Sequence, residues 1–270
     1  MVATSAERAK NSKTAQALGR AGMVCYGLVH VILAYLAVRV AFGSNEQADQ
    51  KGAIQEVGST GFGAVLLWVL TVGLIAYGLW QFSLAATGFR WVHKHGKRIR
   101  RRIGAVIRGV FGISLGIYAA RLVTQDTSGG SGDEQQQEFT AKLLSMSGGQ
   151  ILVGIMAAIV IGFAVAQVRK GLRKSFLEDL DTQDLPSGTQ QWVKRLGVAG
   201  YCAKGVVVAM VGVLIGIAAF RSNPDEAGGL DRALKILAAQ PFGTIALVLI
   251  GAGLAAFGVY CFAAARAHKS

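Results

Sequence analysis

The chain has 270 residues, of which 52% are hydrophobic and 16% charged, and its mean hydropathy is +0.44. Soluble domains carry about 25% charged residues, so this composition excludes an ordinary soluble domain and favours a membrane protein. The net charge of +13 could indicate nucleic-acid binding, and the distribution of the charges along the chain decides whether it does.

Six apolar runs are candidates for membrane-spanning helices, each of which needs about 20 mostly apolar residues. The third run is the weakest, because only the stretch between Arg108 and Arg121 is free of charge. The runs cover 22–42, 64–86, 104–124, 149–168, 198–220 and 243–265.

The odd-numbered runs share a glycine motif, which identifies an internal repeat. The motif is G-x4-G followed by two apolar residues, and it occurs at 22–29, 104–111 and 200–207. A small residue follows the second glycine after seven positions, which is two helical turns. We expect these residues to form stripes along which helices pack closely. The stripes are Gly27 with Ala34, Gly109 with Gly116, and Gly205 with Gly212.

The even-numbered runs align as well. In each of them a small residue preceded by an aromatic residue lies fifteen positions after the first glycine, and we expect Gly78 and Gly258 to be helix-packing residues. Three positions further on are Gln81, Gln167 and Cys261. The two glutamines either form hydrogen bonds between helices or line a polar cavity.

The repeat predicts an all-α integral membrane protein of six transmembrane helices, built as three parallel two-helix units. Each unit begins and ends on the same side of the membrane, so the inverted repeats of several transporter folds are excluded. The units could surround a pseudo-threefold axis. The predicted organisation is a polar tail at 1–17, repeat 1 at 18–90, repeat 2 at 91–170, a cytoplasmic linker at 171–192 and repeat 3 at 193–270.

The basic residues predict the orientation. The two chain ends and the loops on their side carry 19 Lys and Arg residues, whereas the opposite loops carry 5. Cytoplasmic segments carry this excess, so both termini are expected in the cytoplasm and the protein in the plasma membrane. The basic stretch at 89–106 is interpreted as a topology anchor on anionic lipid headgroups, at about 1 kcal/mol per cation. It is not expected to bind nucleic acid.

The sequence contains few residues that indicate catalysis, ion coupling or metal binding. None of the six apolar runs contains Asp or Glu, which argues against ion-coupled transport. The cysteines form no cluster and no catalytic motif occurs, so we expect no enzyme activity, no metal and no cofactor.

Four cations lie within the spans. Arg108 and Lys204 occupy equivalent positions in their repeats, where the first repeat has Tyr26, and Arg39 pairs in the same way with Arg121. Either pair could form a site for an anion or a lipid headgroup, and the Arg39/Arg121 pair is the stronger candidate. The sequence favours the simpler interpretation, which is snorkelling of these side chains to the membrane interface.

The motifs carry a family resemblance. At "GYCAKGVV", at "LAAQPFG" and in its threefold hairpin, the sequence resembles a bacterial, mainly actinobacterial, membrane family, the domain of unknown function 1206. The resemblance covers about 18–265, and the middle repeat departs from it by lacking the Gln-Pro-Phe-Gly turn. It implies six spans and a plasma-membrane location, and it supplies no activity.

Two functions follow as hypotheses. The first is a non-enzymatic accessory or scaffold protein, or a helical bundle that binds lipid. The second is a small channel or carrier along the pseudo-threefold axis. Convergence of Gln81, Gln167, Arg39 and Arg121 on a central cavity would favour the second. The expected partners are anionic membrane lipids, with a protein partner or a second copy of the chain as further candidates.

Overall fold

The computed structural model describes residues 13–87, 95–124, 132–180 and 187–267. Within these ranges the chain is helical and contains no strand. The helices are α1 Lys13–Ala41, α2 Gln50–Gly58, α3 Gly63–Thr87, α4 His95–Val123, α5 Gly132–Leu144, α6 Gly149–Leu172, α7 Ser187–Arg221, α8 Leu230–Ala238 and α9 Gly243–Ala267. Residues 1–12 of the predicted tail and 88–94 of the basic loop lie outside the described residues.

Six of the helices are long and apolar enough to cross a membrane, which confirms the predicted fold class. The weak third run belongs to such a helix, with a span at Arg101–Val123. Helices α1, α4 and α7 start well before their apolar runs. The basic and polar residues that precede these runs include good helix formers and no proline within the helix, so the helix continues through them.

The six long helices form a ring in the order α4, α3, α1, α9, α7, α6. The most extensive contacts join neighbouring units: α3 packs on α4, α9 on α1, and α6 on α7. Within units, α1 packs on α3 and α7 on α9, but α4 and α6 touch at most marginally in the described part of the chain. The bundle is therefore pseudo-threefold with one open side, in the middle unit.

The glycine stripes lie at the contacts between units. A Cβ atom added to Gly27 would be 2.9 Å from the carbonyl oxygen of Gly258. The same atom on Gly109 would be 3.0 Å from the oxygen of Gly78, and on Gly205 it would be 3.0 Å from that of Ala164. The three crossings thus have nearly the same geometry, and only small residues allow the backbones to approach so closely.

The second residue of each stripe lies two turns further along the same contact. A Cβ atom on Gly116 would be 2.7 Å from Cγ1 of Ile75, and one on Gly212 would be 2.7 Å from Cγ1 of Ile161. For the stripe of the first repeat, a Cβ atom on Gly251 of α9 would be 3.1 Å from the carbonyl oxygen of Ala34. Each stripe therefore faces the second long helix of a neighbouring unit.

The same turn precedes the second long helix of every unit. The N–H groups of Gly63, Gly149 and Gly243 donate to carbonyl oxygens three residues earlier at 2.8 Å in all three turns. A Cβ atom at these glycines would lie 2.0–2.1 Å from a carbonyl oxygen of the preceding short helix. The middle unit adopts this turn although it lacks the Gln-Pro-Phe-Gly sequence, because it keeps the one residue that the turn requires.

The short helices α2, α5 and α8 close one end of the bundle, called here the capped end. Aspartates link them between units. Asp133 accepts hydrogen bonds from the backbone N–H groups of Gly229 (2.6 Å) and Arg232 (2.9 Å), and Asp231 accepts one from Ala48 at 2.8 Å. Such carboxylates satisfy the free N–H groups at helix N-termini. Asp49 caps its own helix α2 through Gly52 at 2.7 Å.

The opposite end, called here the basic end, is closed by part of the predicted linker. Residues Ser175–Asp179 form a 3₁₀ turn, and Phe176 and Leu180 are buried. The ring of Phe176 stacks on Tyr201 at 5.3 Å and meets Tyr260 edge-on at 5.2 Å. This segment is therefore packed into the bundle, whereas residues 181–186 lie outside the described part of the chain.

Candidate functional site

A cavity of about 360 Å³ lies at the centre of the ring. It is lined by two sets of residues that occupy equivalent positions in the three repeats. One set is Tyr26, Arg108 and Lys204, and the other is Gln81, Gln167 and Cys261. Because every repeat contributes the same two positions, the pseudo-threefold axis passes through this cavity.

Lys204 is held in a cage of aromatic side chains. Its Nζ donates a hydrogen bond to the hydroxyl of Tyr26 at 2.6 Å and lies 4.5 Å from the ring centre of Phe257. It is also 3.4 Å from Nε2 of His30, whose Nδ1–H donates to the carbonyl oxygen of Tyr26 at 2.9 Å. This arrangement fixes the acceptor nitrogen of His30 towards the ammonium group. An ammonium group has three donors, of which Tyr26 and His30 accept two, and the ring faces of Tyr26 and Phe257 lie close by.

Gln81 contributes a polar group without a partner. Its Nε2 donates to the hydroxyl of Tyr77 at 2.8 Å, and the Tyr77 ring stacks on Tyr26 at 4.9 Å. Gln81 is 3% exposed, and its Oε1 has no hydrogen-bond partner among the described residues. A buried carbonyl without a donor is unfavourable by about 1–3 kcal/mol, so this position could be stabilised by a ligand.

Three cations line the cavity. Within the described part of the chain, Arg108 donates no hydrogen bond. The Nζ of Lys170 lies 4.8 Å from the ring centre of Tyr201. Lys204 donates to the hydroxyl of Tyr26. None of the described residues lining the cavity is Asp or Glu. The remaining wall is largely apolar, from residues such as Phe111 and Val207. Chemically, the described residues form an apolar cavity with cations at its centre and no carboxylate in its lining.

The sequence-predicted Arg39/Arg121 pair lies elsewhere. Arg39 forms an ion pair with Glu46, and its guanidinium is 5.7 Å from the ring centre of Tyr35. Arg121 lines a second cavity, of about 460 Å³, beside the capped end. Gln81 and Gln167 do converge on the central cavity. The structure therefore brings together the glutamines with Arg108 and Lys204, and not with the arginine pair favoured from the sequence.

The second cavity adjoins the first. The two cavities share five lining residues: Gln50, Phe111, Gln136, Gly229 and Leu230.

Two charged groups at the capped end are affected by burial. Burial raises the pKa of the Asp133 carboxyl above its ordinary value and lowers the pKa of the Lys51 ammonium. No three His, Cys, Asp or Glu residues in the described ranges are placed to share a metal ion.

Comparison with known proteins identifies the family of the chain. The family model called Domain of Unknown Function (DUF1206) matches residues 21–88, 103–174 and 199–268, one match for each repeat. The chain belongs to this family. The chain is also similar to "Uncharacterized protein YxxB" of Bacillus subtilis (strain 168), with 32% identity over 243 residues, which are 90% of this chain and 87% of the relative. No solved structure matches the chain.

Several residues of the site were not singled out from the sequence. Lys170 lines the cavity and Phe176 packs beneath it. Tyr77 also lines the cavity, but the repeat identified it only as the aromatic residue before Gly78. The repeat did carry a signal for Tyr26, since it holds the position of Arg108 and Lys204 in the first unit of this DUF1206 chain. It carried none for Phe176, which lies in the linker between the second and third units.

Proposed function

We propose that the protein is a non-enzymatic membrane protein whose central cavity binds the anionic group of an amphiphilic molecule, such as a membrane lipid. The observation that carries this proposal is the pair of cations Arg108 and Lys204, which line a cavity whose described lining has no carboxylate.

Electrostatics supports an anionic ligand. Cations within transmembrane segments are unfavourable unless a counter-charge or polar group compensates them. The aromatic rings of Tyr26 and Phe257 compensate Lys204 in part through their negative faces. Arg108 has no such ring contact among the described residues. A phosphate or carboxylate between Arg108 and Lys204 would complete the charge balance.

The absence of paired catalytic groups in the described cavity supports a binding role over catalysis. Cys261 lines the cavity, but no hydrogen bond joins its thiol to a base in the described part of the chain. The imidazole Nε2 of His30 faces the Lys204 ammonium. A base within hydrogen-bond reach is one of the common means by which a nucleophile is activated.

Lipid retention tests the proposal. Arg108→Gln and Lys204→Met are each expected to reduce the anionic lipid that co-purifies with the protein about tenfold, since a hydrogen bond to a charged group contributes about 1.5–3 kcal/mol. Native mass spectrometry of protein extracted in mild detergent measures the retained lipid. Arg39→Gln is the matched control, because it removes an intramembrane arginine outside the cavity. Equal retention in all four proteins would contradict the proposal.

The orientation is part of the proposal. The excess of Lys and Arg at the basic end supports cytoplasmic termini and a plasma-membrane location. We expect a reporter enzyme that is active only in the cytoplasm to be active when fused to either terminus. When the same reporter is fused after Ser222, at the capped end, we expect the reporter to be inactive. Activity in the reverse pattern would contradict this orientation.

A channel or carrier is the second candidate function. The observation in its favour is that the central cavity and the cavity of Arg121 share five lining residues, which outlines a route towards the capped end. Reconstituted liposomes distinguish the two functions. Protein-dependent anion flux that Arg108→Gln abolishes would favour transport, and Arg108-dependent lipid retention without flux would favour binding.

A further inference from the structure

The opening between α4 and α6 connects the central cavity with the outer surface of the bundle. We infer that this opening is an acyl-chain site and the entrance through which a membrane lipid places its anionic headgroup in the cavity. The inference rests on the proposed function and adds to it the class of ligand and the route of access.

Among the described residues, only the middle unit has two long helices that do not pack on each other. In the first unit α1 packs on α3, and in the third unit α7 packs on α9, but α4 and α6 touch at most marginally in the described ranges. The short helix α5 packs on α6 and α7, with no more than marginal contact to α4. In the first unit, by contrast, α2 packs on both α1 and α3. The separation of α4 from its own unit therefore leaves a gap in the wall of the ring.

Residues at this gap face the cavity and the outside together. Ile107 and Phe111 on α4 line the cavity, yet they are 49% and 38% exposed. Across the gap, Phe163 and Gln167 on α6 line the cavity and are only partly buried. Since both helices have the length and composition to span a membrane, the outside at this depth is the hydrocarbon of the bilayer.

One face of α4 has the form of an amphiphile site. Arg108, Phe111, Leu115, Tyr118 and Arg121 are spaced three or four residues apart and line the two adjoining cavities. Arg108 and Arg121 are separated by about 20 Å along the helix axis. Between these two cations the lining residues of α4 are mainly apolar. A headgroup at Arg108 would place an acyl chain along this apolar stretch.

The basic end offers no comparable access in the described part of the chain. Phe176 is fully buried there and packs against Tyr201 and Tyr260, both of which line the cavity. Arg101 of α4 forms an ion pair with Glu178 of the same 3₁₀ turn. This ion pair joins α4 to the turn that follows α6, at the basic end of the opening. A lipid phosphate and a free phosphate ester share the same headgroup chemistry, but only the lipid reaches the cavity from the bilayer.

Photo-labelling tests this inference. The probe is phosphatidylglycerol with a diazirine in its acyl chain, incorporated in nanodiscs with the full-length protein. We expect cross-links to concentrate on residues 107–117 and 159–167 and to fall about tenfold in Arg108→Gln, the loss expected for one charged hydrogen bond. Excess inorganic phosphate should not displace the probe. Cross-links spread evenly over all lipid-facing helices, or displaced by phosphate, would overturn the inference.

An obstruction experiment provides the second measurement. Ile107→Trp fills the opening and is expected to slow probe exchange about tenfold, whereas Leu79→Trp is the control, at a lipid-facing position of α3 that is 58% exposed and lines neither cavity. Equal exchange in the two variants would contradict the entrance. If anionic lipid retention depends on Arg108 but no label appears at α4 and α6, the proposed function stands and this inference fails. If retention does not depend on Arg108, both fail.

Discussion

Replacing Phe176 with alanine is expected to lower the free energy of unfolding by about 3–5 kcal/mol, the range for Phe→Ala substitutions in protein cores. The side chain is 0% exposed and packs against Tyr201 and Tyr260. Its ring also fits against Gly197, where an added Cβ atom would be 2.4 Å from it. Loss of the ring would leave a void between the linker turn and α7.

Thermal unfolding in detergent measures this effect, followed by the fluorescence of the four tryptophans. Leu172→Ala is the control, because this nearby residue at the end of α6 is 63% exposed. We expect a large decrease in melting temperature for Phe176→Ala and a small one for Leu172→Ala. Equal melting temperatures would show that the linker turn is not part of the packed bundle.

Gly149→Ala is the second substitution with a large expected effect, a destabilisation of about 1–3 kcal/mol from overpacking. The added Cβ atom would be 2.0 Å from the carbonyl oxygen of Leu143 and 2.8 Å from the Cα atom of Leu144. Both are backbone atoms of the preceding helix, so the turn must open to accommodate the methyl group. The same argument applies to Gly63 and Gly243.

Gly154→Ala is the matched control on the same helix. No atom would lie within 4 Å of its added Cβ, and alanine is favoured over glycine within a helix by about 0.5–1 kcal/mol. The two substitutions are therefore expected to change the melting temperature in opposite directions. A Gly149→Ala protein as stable as Gly154→Ala would exclude the proposed role of the turn glycine.

The packing of the ring was largely predictable from the sequence. Small residues spaced by two helical turns identify a face where another helix can approach, and Gly27, Gly109 and Gly205 lie at such contacts. Their repetition also predicted three units. The sequence did not show which helix each stripe faces, because contacts between units depend on the closure of the ring.

The site was predictable only in part. Alignment of the repeats showed that Tyr26, Arg108 and Lys204 are equivalent, as are Gln81 and Gln167. Whether equivalent residues meet at the axis depends on the rotation of each helix, which a repeat alone does not determine. Arg39 and Arg121 were equally well matched and lie outside the central cavity.

Long-range packing explains what the sequence did not reveal. Phe176 lies in a polar segment and is buried by residues of α7 and α9, which are distant in sequence. The separation of α4 from α6 has the same origin, because α4 packs more extensively on α3 of the first unit than on its own partner. The sequence showed only that the middle repeat departs from the other two.

The most direct measurement is an electron cryomicroscopy map of the full-length protein in nanodiscs that contain anionic phospholipid. We expect density for a headgroup between Arg108 and Lys204, continuous with an acyl chain between α4 and α6. Arg108→Gln should lack this density while keeping the same helix arrangement. A cavity without density in the wild-type protein, or density that is unchanged in Arg108→Gln, would contradict the claim that the cavity binds an anionic lipid.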